Sequence, residues 1–125
     1  MTLHPRRVPD WVRDIREAIE YIHLDMGGLD RQAFEADGKT VRAVTKSIAD
    51  IGEAANQIMQ AMPDFQTENP DIWQPLKRVY AMHNVLLHEY FRTDASVVWD
   101  TVHLHLPELD RLLLRLASDE GSLKD

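Results

Sequence analysis

The chain has 125 residues, no cysteine and a formal net charge of −7 at pH 7. Without cysteine, neither a disulfide nor a thiolate metal site can hold it together, and no segment approaches the roughly 20 apolar residues of a membrane span. The start, Met-Thr-Leu-His-Pro-Arg-Arg, has no apolar run behind it and does not read as a signal peptide, so a cytoplasmic protein is expected.

The length is that of one domain, expected over 1–125 with its core at about 10–117, and a 44% hydrophobic content is enough for that core. Trp11, Ile15, Ala18, Ile19, Ile22 and Met26 recur at steps of three and four, predicting a first helix capped by Asp10 and stopped by Gly27-Gly28. Leu29 to Asp37, with Phe34, predicts a turn or two of helix. Val41, Val44, Ile48, Ile51, Ala55, Ile58 and Met62 alternate steps of three and four, a seam that faces other helices and ends at Pro63. The stretch from Pro63 to Pro70 is polar and reads as an ordered surface loop. A third main helix is predicted from Asp71 or Ile72 through Leu76, Val79, Met82 and Leu86 to about Tyr90, with Pro75 near its first turn. Thr93 or Asp94 caps a fourth, whose stripe is Val98, Val102, Leu106, Leu109, Leu113 and Leu116; Pro107 inside it predicts a kink or break. No stretch alternates with period two, so the expected fold is all-α, an antiparallel bundle of four main helices plus a short one.

The residues that carry chemistry crowd into Met82-His83-Asn84-Val85-Leu86-Leu87-His88-Glu89-Tyr90-Phe91. Asn84 and His88 are one turn apart and share a helix face. His83 and His88 lie about 140° apart around the axis, which suits a shared groove better than one metal ion. Dimetal carboxylate sites in bundles need Glu-x-x-His on two helices with further inward glutamates, a set this chain lacks, so no metal and no cofactor are expected. Ser47 and Ser96 have no nucleophile elbow, and there is no glycine-rich phosphate loop. Each residue also has a plainer reading. Asn84 alone would be a solvated polar residue, His88 a satisfied histidine, Tyr90 and Phe91 core or interface aromatics. Gly52 suits close helix packing, with Glu53 beside the apolar seam in a structural role. Trp11, Trp73 and Trp99 read as core or interface residues, and His103 and His105 as surface ones.

Several motifs in order resemble one family. His-x-Tyr at His88-Glu89-Tyr90, preceded by Asn84, is similar to the signature of the HEPN ribonuclease toxins that pair with a minimal nucleotidyltransferase antitoxin. Ile51-Gly52-Glu53-Ala54, Phe34, Ile72-Trp73, Val98-Trp99 and Leu106-Pro107-Glu108-Leu109 continue the likeness from Trp11 to Leu116. The resemblance implies a homodimer whose motif helices meet in one groove, RNA as substrate, and adenylylation of Tyr90 by the nucleotidyltransferase partner. It makes His88 the acid or base that acts on a ribose 2′-hydroxyl, with Asn84 beside the phosphate. In one place the chain departs from the pattern: His83 stands where the family has an arginine that binds the scissile phosphate. His83 supplies a cation only when protonated; in the enzyme reading it is nonetheless a catalytic candidate, placed with Asn84 at the phosphate. Arg78 and Arg92 are candidates to restore the missing charge at the RNA. Two readings follow: a metal-independent endoribonuclease toxin, or a catalytically weak HEPN module kept as partner and substrate of the nucleotidyltransferase.

The acidity bears on both. Nucleic-acid binding by phosphate contacts normally needs a basic face. A chain at −7 must bind RNA locally or as an assembled dimer, and its charge suits a basic protein partner equally well.

Overall fold

A computed structural model describes residues 7–88 and 94–122, with residues 87–88 and 116–122 as backbone only. Among the described residues every regular element is helical: α1 (Val8–Met26), α2 (Arg31–Ala36), α3 (Gly38–Ala61), α4 (Phe65–Glu68), α5 (Pro70–His88), α6 (Ala95–Asp100), a π-helical turn (Thr101–His105) and α7 (Leu106–Ser122). The protein is all-α. α3 packs extensively against both α1 and α5, and α7 closes against the same two helices.

The core follows from the periodicity. Val44, Ile48, Ile51, Ala55 and Ile58 of α3 are fully buried and meet Ile15 and Ile22 of α1, Leu76 of α5 and Leu113 of α7 in one cluster. Burying such side chains gains about 1.5–3 kcal/mol each. Exposed ion pairs add ties between helices: Arg16 to Asp110 joins α1 to α7, Arg31 to Asp100 joins α2 to α6, and Arg115 to Asp71 joins α7 to α5.

Several boundaries differ from expectation for identifiable reasons. α1 begins at Val8 with Arg7 as its cap, so Asp10 sits in the first turn, where its carboxylate accepts the Arg7 backbone N–H at 2.8 Å. Gly27 ends α1 at φ 55°, a conformation that favours glycine. The polar stretch after Pro63 holds α4, because Phe65 is fully buried and pulls its neighbours into a turn. α5 starts at Pro70, earlier than predicted, so Pro75 falls past the first turn and leaves the Asp71 carbonyl without its helical donor.

At Pro107 the helix neither breaks nor ends. Proline lacks the N–H for the carbonyl four residues back, and its ring crowds that carbonyl. Just before it the winding widens, with the Leu106 N–H donating to the Thr101 carbonyl five residues back, and helix continues from Ala95 to Ser122. Asp94 caps this compound helix by accepting from Ser96 N and Oγ.

Candidate active site

α5 carries the motif, and its two faces separate the predicted residues. Ile72, Leu76, Val79, His83 and Leu86 succeed one another at steps of four, three, four and three, and all are buried. His83 therefore occupies the core stripe, where the apolar alphabet alone had placed Met82; Met82 is only half-buried beside it.

A histidine fits there because α3 makes room. Ala49, Gly52 and Glu53 share one face of α3 at the i, i+3, i+4 spacing. A Cβ on Gly52 would stand 2.2 Å from His83 Cβ and 2.9 Å from the Val79 carbonyl oxygen, so only glycine permits this approach. The His83 Nδ1–H donates to the Ala49 carbonyl at 2.7 Å, and Nε2 lies 3.7 Å from Glu53 Oε2. The Tyr80 ring stacks on the imidazole at 5.9 Å and 18°. His83 is 9% exposed. These contacts turn it into the α3–α5 crossing and away from the solvent face of α5.

Asn84, one residue on and about 100° around the helix, is exposed. His88 follows it by one turn as the last residue of α5; only its backbone is described. Counting back from these two, positions 81 and 77 fall on the same strip, which brings exposed Lys77 into line with Asn84. The sequence reading missed Lys77, although the 77-81-84-88 spacing was there to find it. Arg78 is exposed too but about 120° from Asn84, beside Val85, itself 51% exposed. The structure thus groups Asn84 with Lys77, sets Arg78 on the flank, and places His83 behind. Tyr90 and Arg92 lie outside the described residues.

Charge is segregated around this helix. From Ile72 to His88 α5 has two cations, Lys77 and Arg78, and no carboxylate. A groove of about 660 Å³ between α1 and α3 is lined by Trp11 and Tyr21 with Asp14, Glu17, Asp50 and Glu53, the last of which also approaches His83 of α5. The formal −7 is therefore unevenly spread, and the motif helix is spared.

Other candidates stay apart. Glu20 and His23 form the chain's one Glu-x-x-His, both exposed on α1, and among the described residues no three His, Asp or Glu gather as a metal site. His103 stacks on Trp99 at 3.8 Å and 21°, and its Nδ1 lies 3.0 Å from the Trp99 carbonyl oxygen. The three tryptophans pack against the core. No helix among the described residues is long and apolar enough to cross a membrane.

These features describe an all-helical protein whose candidate site is a polar, cation-flanked helix face. Residues 15–116 match the model of the family described as ribonuclease HepT-like. The chain is 36% identical over 100 residues to a "Probable ribonuclease HepT" of Thermococcus cleftensis, covering 80% of this chain and 86% of that protein. Two further relatives carry RNase in their names: one from Caldanaerobacter subterraneus, 24% identical over 88% of this chain and 94% of its own length, and one from Methanocaldococcus jannaschii, 29% identical over 91% of this chain and 94% of its own. No solved structure matches. This chain belongs to the HepT-like ribonuclease family.

Proposed function

We propose that this protein is a metal-independent endoribonuclease toxin, active as a cytoplasmic homodimer and neutralised by a minimal nucleotidyltransferase antitoxin. The observation that carries the reading is the outer strip of α5, where exposed Asn84 and Lys77 line up with the position of His88 in a stretch, 72–88, that contains no carboxylate. In the proposed reaction the ribose 2′-oxygen bonds to phosphorus while the bond from phosphorus to the 5′-oxygen breaks, leaving a cyclic phosphate. His88 takes the 2′-hydroxyl proton while water protonates the leaving 5′-oxygen, or His88 protonates the leaving oxygen while water takes the hydroxyl proton. Asn84 and Lys77 meet the phosphate, whose charge grows in the transition state. Arg78 and Arg92 contact RNA further along.

A dimer in which two α5 faces approach would double these cations over one groove and cover Val85. Adenylylation would join the Tyr90 hydroxyl oxygen to the α-phosphorus of ATP with loss of pyrophosphate. The added anion beside His88 would repel RNA.

One observation favours the second reading, a HEPN module that serves mainly as partner and substrate of the nucleotidyltransferase. Residue 83, proposed for the phosphate, packs into the α3–α5 crossing, so the permanent cation of the family pattern has no direct substitute there. RNA cleavage in the presence of EDTA, by wild type and His88→Ala, separates the two. Cleavage that vanishes in His88→Ala establishes the enzyme. No cleavage by wild type, together with a stable nucleotidyltransferase complex and AMP on Tyr90, establishes the module.

A further inference from the structure

α5 runs antiparallel to α3: the connector 62–69 is short and partly helical, and the crossing pairs Gly52 with Val79 and His83 and Ala49 with His83. In an antiparallel pair, rotation in each helix's own forward sense leads to the same side of the crossing. On α5, Tyr80, Asn84, Lys77 and His88 stand about 60° to 140° round from His83. On α3, Arg42, Glu53 and Lys46 stand about 20° to 60° round from Ala49. The two strips therefore border one surface. The contacts agree, since Glu53 approaches the His83 ring from α3 and Tyr80 stacks on it from α5.

His88 lies about 7.5 Å past His83 along the axis. The same distance back along α3 from Ala49 and Gly52 reaches about position 45 or 46. Exposed Lys46 thus stands level with His88, and exposed Arg42 about one turn beyond. The two cations differ in what meets them. Both oxygens of Asp50 accept from the Lys46 ammonium, at 2.8 and 2.9 Å. Among the described residues no carboxylate comes within ion-pair distance of Arg42, whereas Arg13, Arg16, Arg31 and Arg115 each have one. The Arg42 guanidinium lies back over the first turn of α3, 3.3 Å from where a Gly38 Cβ would stand.

We infer that Arg42 is a substrate-contacting residue of the proposed ribonuclease: from α3, its guanidinium holds the RNA phosphate next to the scissile one, just past His88, and supplies the permanent cation that position 83 does not. Arginine keeps its charge at any working pH and can present two N–H donors to one phosphate. Coming from α3, it escapes the packing that turns residue 83 into the crossing. The carboxylates bordering this strip on α3, Asp50 and Glu53, are met by Lys46 and by the Gln57 amide. With Lys77 at the other end, the RNA path runs along α5, past Asn84 and His88, and leaves over the start of α3.

The substrate named here rests on the ribonuclease reading, and a 2′-O-methyl oligouridylate, which has no 2′-hydroxyl to attack with, separates contact from cleavage. In fluorescence anisotropy, Arg42→Ala should weaken its binding about fivefold at about 0.1 M salt and lower the slope of log affinity against log salt by about 0.7, the release of one counterion. Arg42→Lys should restore the slope, since the charge returns, and Lys46→Ala should change neither. On cleavable RNA, Arg42→Ala should raise KM by a similar factor at nearly constant kcat, because a neighbouring phosphate keeps its charge throughout the reaction. An affinity and slope that Arg42→Ala leaves unchanged, or that Lys46→Ala changes equally, overturn the inference, as does a wild type that does not bind the oligonucleotide. If binding depends on Arg42 as expected but wild type cleaves no RNA, the ribonuclease reading has failed and the contact stands. If wild type cleaves RNA and Arg42→Ala leaves KM untouched, the contact has failed and the ribonuclease reading stands.

Discussion

The inner and outer faces of α5 have the same backbone and differ in what meets them. On the inner face each residue is closed by a neighbour: Val79 and His83 by Gly52, the His83 ring by Ala49 and Glu53. On the outer face Lys77, Asn84 and Val85 are exposed to solvent. Polar residues stand on both, so polarity alone does not mark a site. His83 is polar and spent on packing, whereas Asn84 is polar and open. The difference predicts that outer-face changes alter activity and spare the fold, while inner-face changes do the reverse.

The largest effect should come from the outer strip. His88→Ala is expected to lower RNA cleavage by about 10² to 10⁴, the usual contribution of a positioned acid or base. Initial rates on a generic RNA check it, and a variant that keeps wild-type rates would remove His88 from the chemistry.

Next in size is the inner face. Gly52→Ala gains roughly 1 kcal/mol of helix propensity but forces a Cβ to within 2.2 Å of His83 Cβ and 2.9 Å of a backbone carbonyl. Neither neighbour is the free end of a flexible chain, so overpacking of about 1–3 kcal/mol or more should win. Gly38 is the control, since a Cβ there meets only the Arg42 guanidinium at 3.3 Å, which can swing away. Urea unfolding should show Gly52→Ala clearly destabilised and Gly38→Ala nearly neutral. Equal results would mean that the α3–α5 crossing is looser than described.

How far these faces could be read from sequence depends on the alphabet. The α3 seam was legible because every member is apolar and the steps are regular, and Gly52 was legible because a mid-helix glycine needs a reason. His83 was not, because a histidine at a core position does not register as part of a hydrophobic stripe; only its partners Ala49 and Glu53, 34 and 30 positions earlier, reveal its role. Phe65 was lost for the opposite reason, a lone aromatic in a polar stretch with no period to signal burial. Pro107 was seen, but the widened π turn that accommodates it depends on the backbone five residues back. For the candidate site, the Asn84–His88 strip was legible from spacing, and Lys77 was legible but overlooked in favour of Arg78.

A smaller effect distinguishes the cations. If Lys77 lies along the RNA path, Lys77→Ala should weaken binding to single-stranded RNA and reduce the slope of log affinity against log salt by about 0.7, the release of one counterion. Lys46 on α3, engaged by Asp50 at 2.8 Å, should change neither when replaced by alanine. A salt slope altered equally by both would show that RNA senses only overall charge and would erase the contrast between the faces.

The smallest effect concerns residues on neither face. Beyond Asp71, α5 has no carboxylate, so the acid sensitivity of the fold must arise elsewhere, and helix caps are the candidates. Asp37, at the start of α3, has its pKa lowered chiefly by the Thr40 hydroxyl and then by the Thr40 backbone N–H. Asp94, before α6, is lowered by the Ser96 hydroxyl and backbone in the same order. A carboxylate whose folded pKa lies below its unfolded value of about 3.9 stabilises the fold at higher pH and loses that contribution as pH falls through the folded value. Asp37→Ala should therefore lower the melting temperature by a few degrees at neutral pH, and by progressively less below about pH 4, as pH falls from the unfolded value through the lowered folded value and the wild-type cap takes up its proton. Thermal unfolding of both proteins between pH 7 and 2 makes the test: converging curves assign the acid limb to the cap, and parallel curves would mean that the Asp37 carboxylate is not engaged in the folded state.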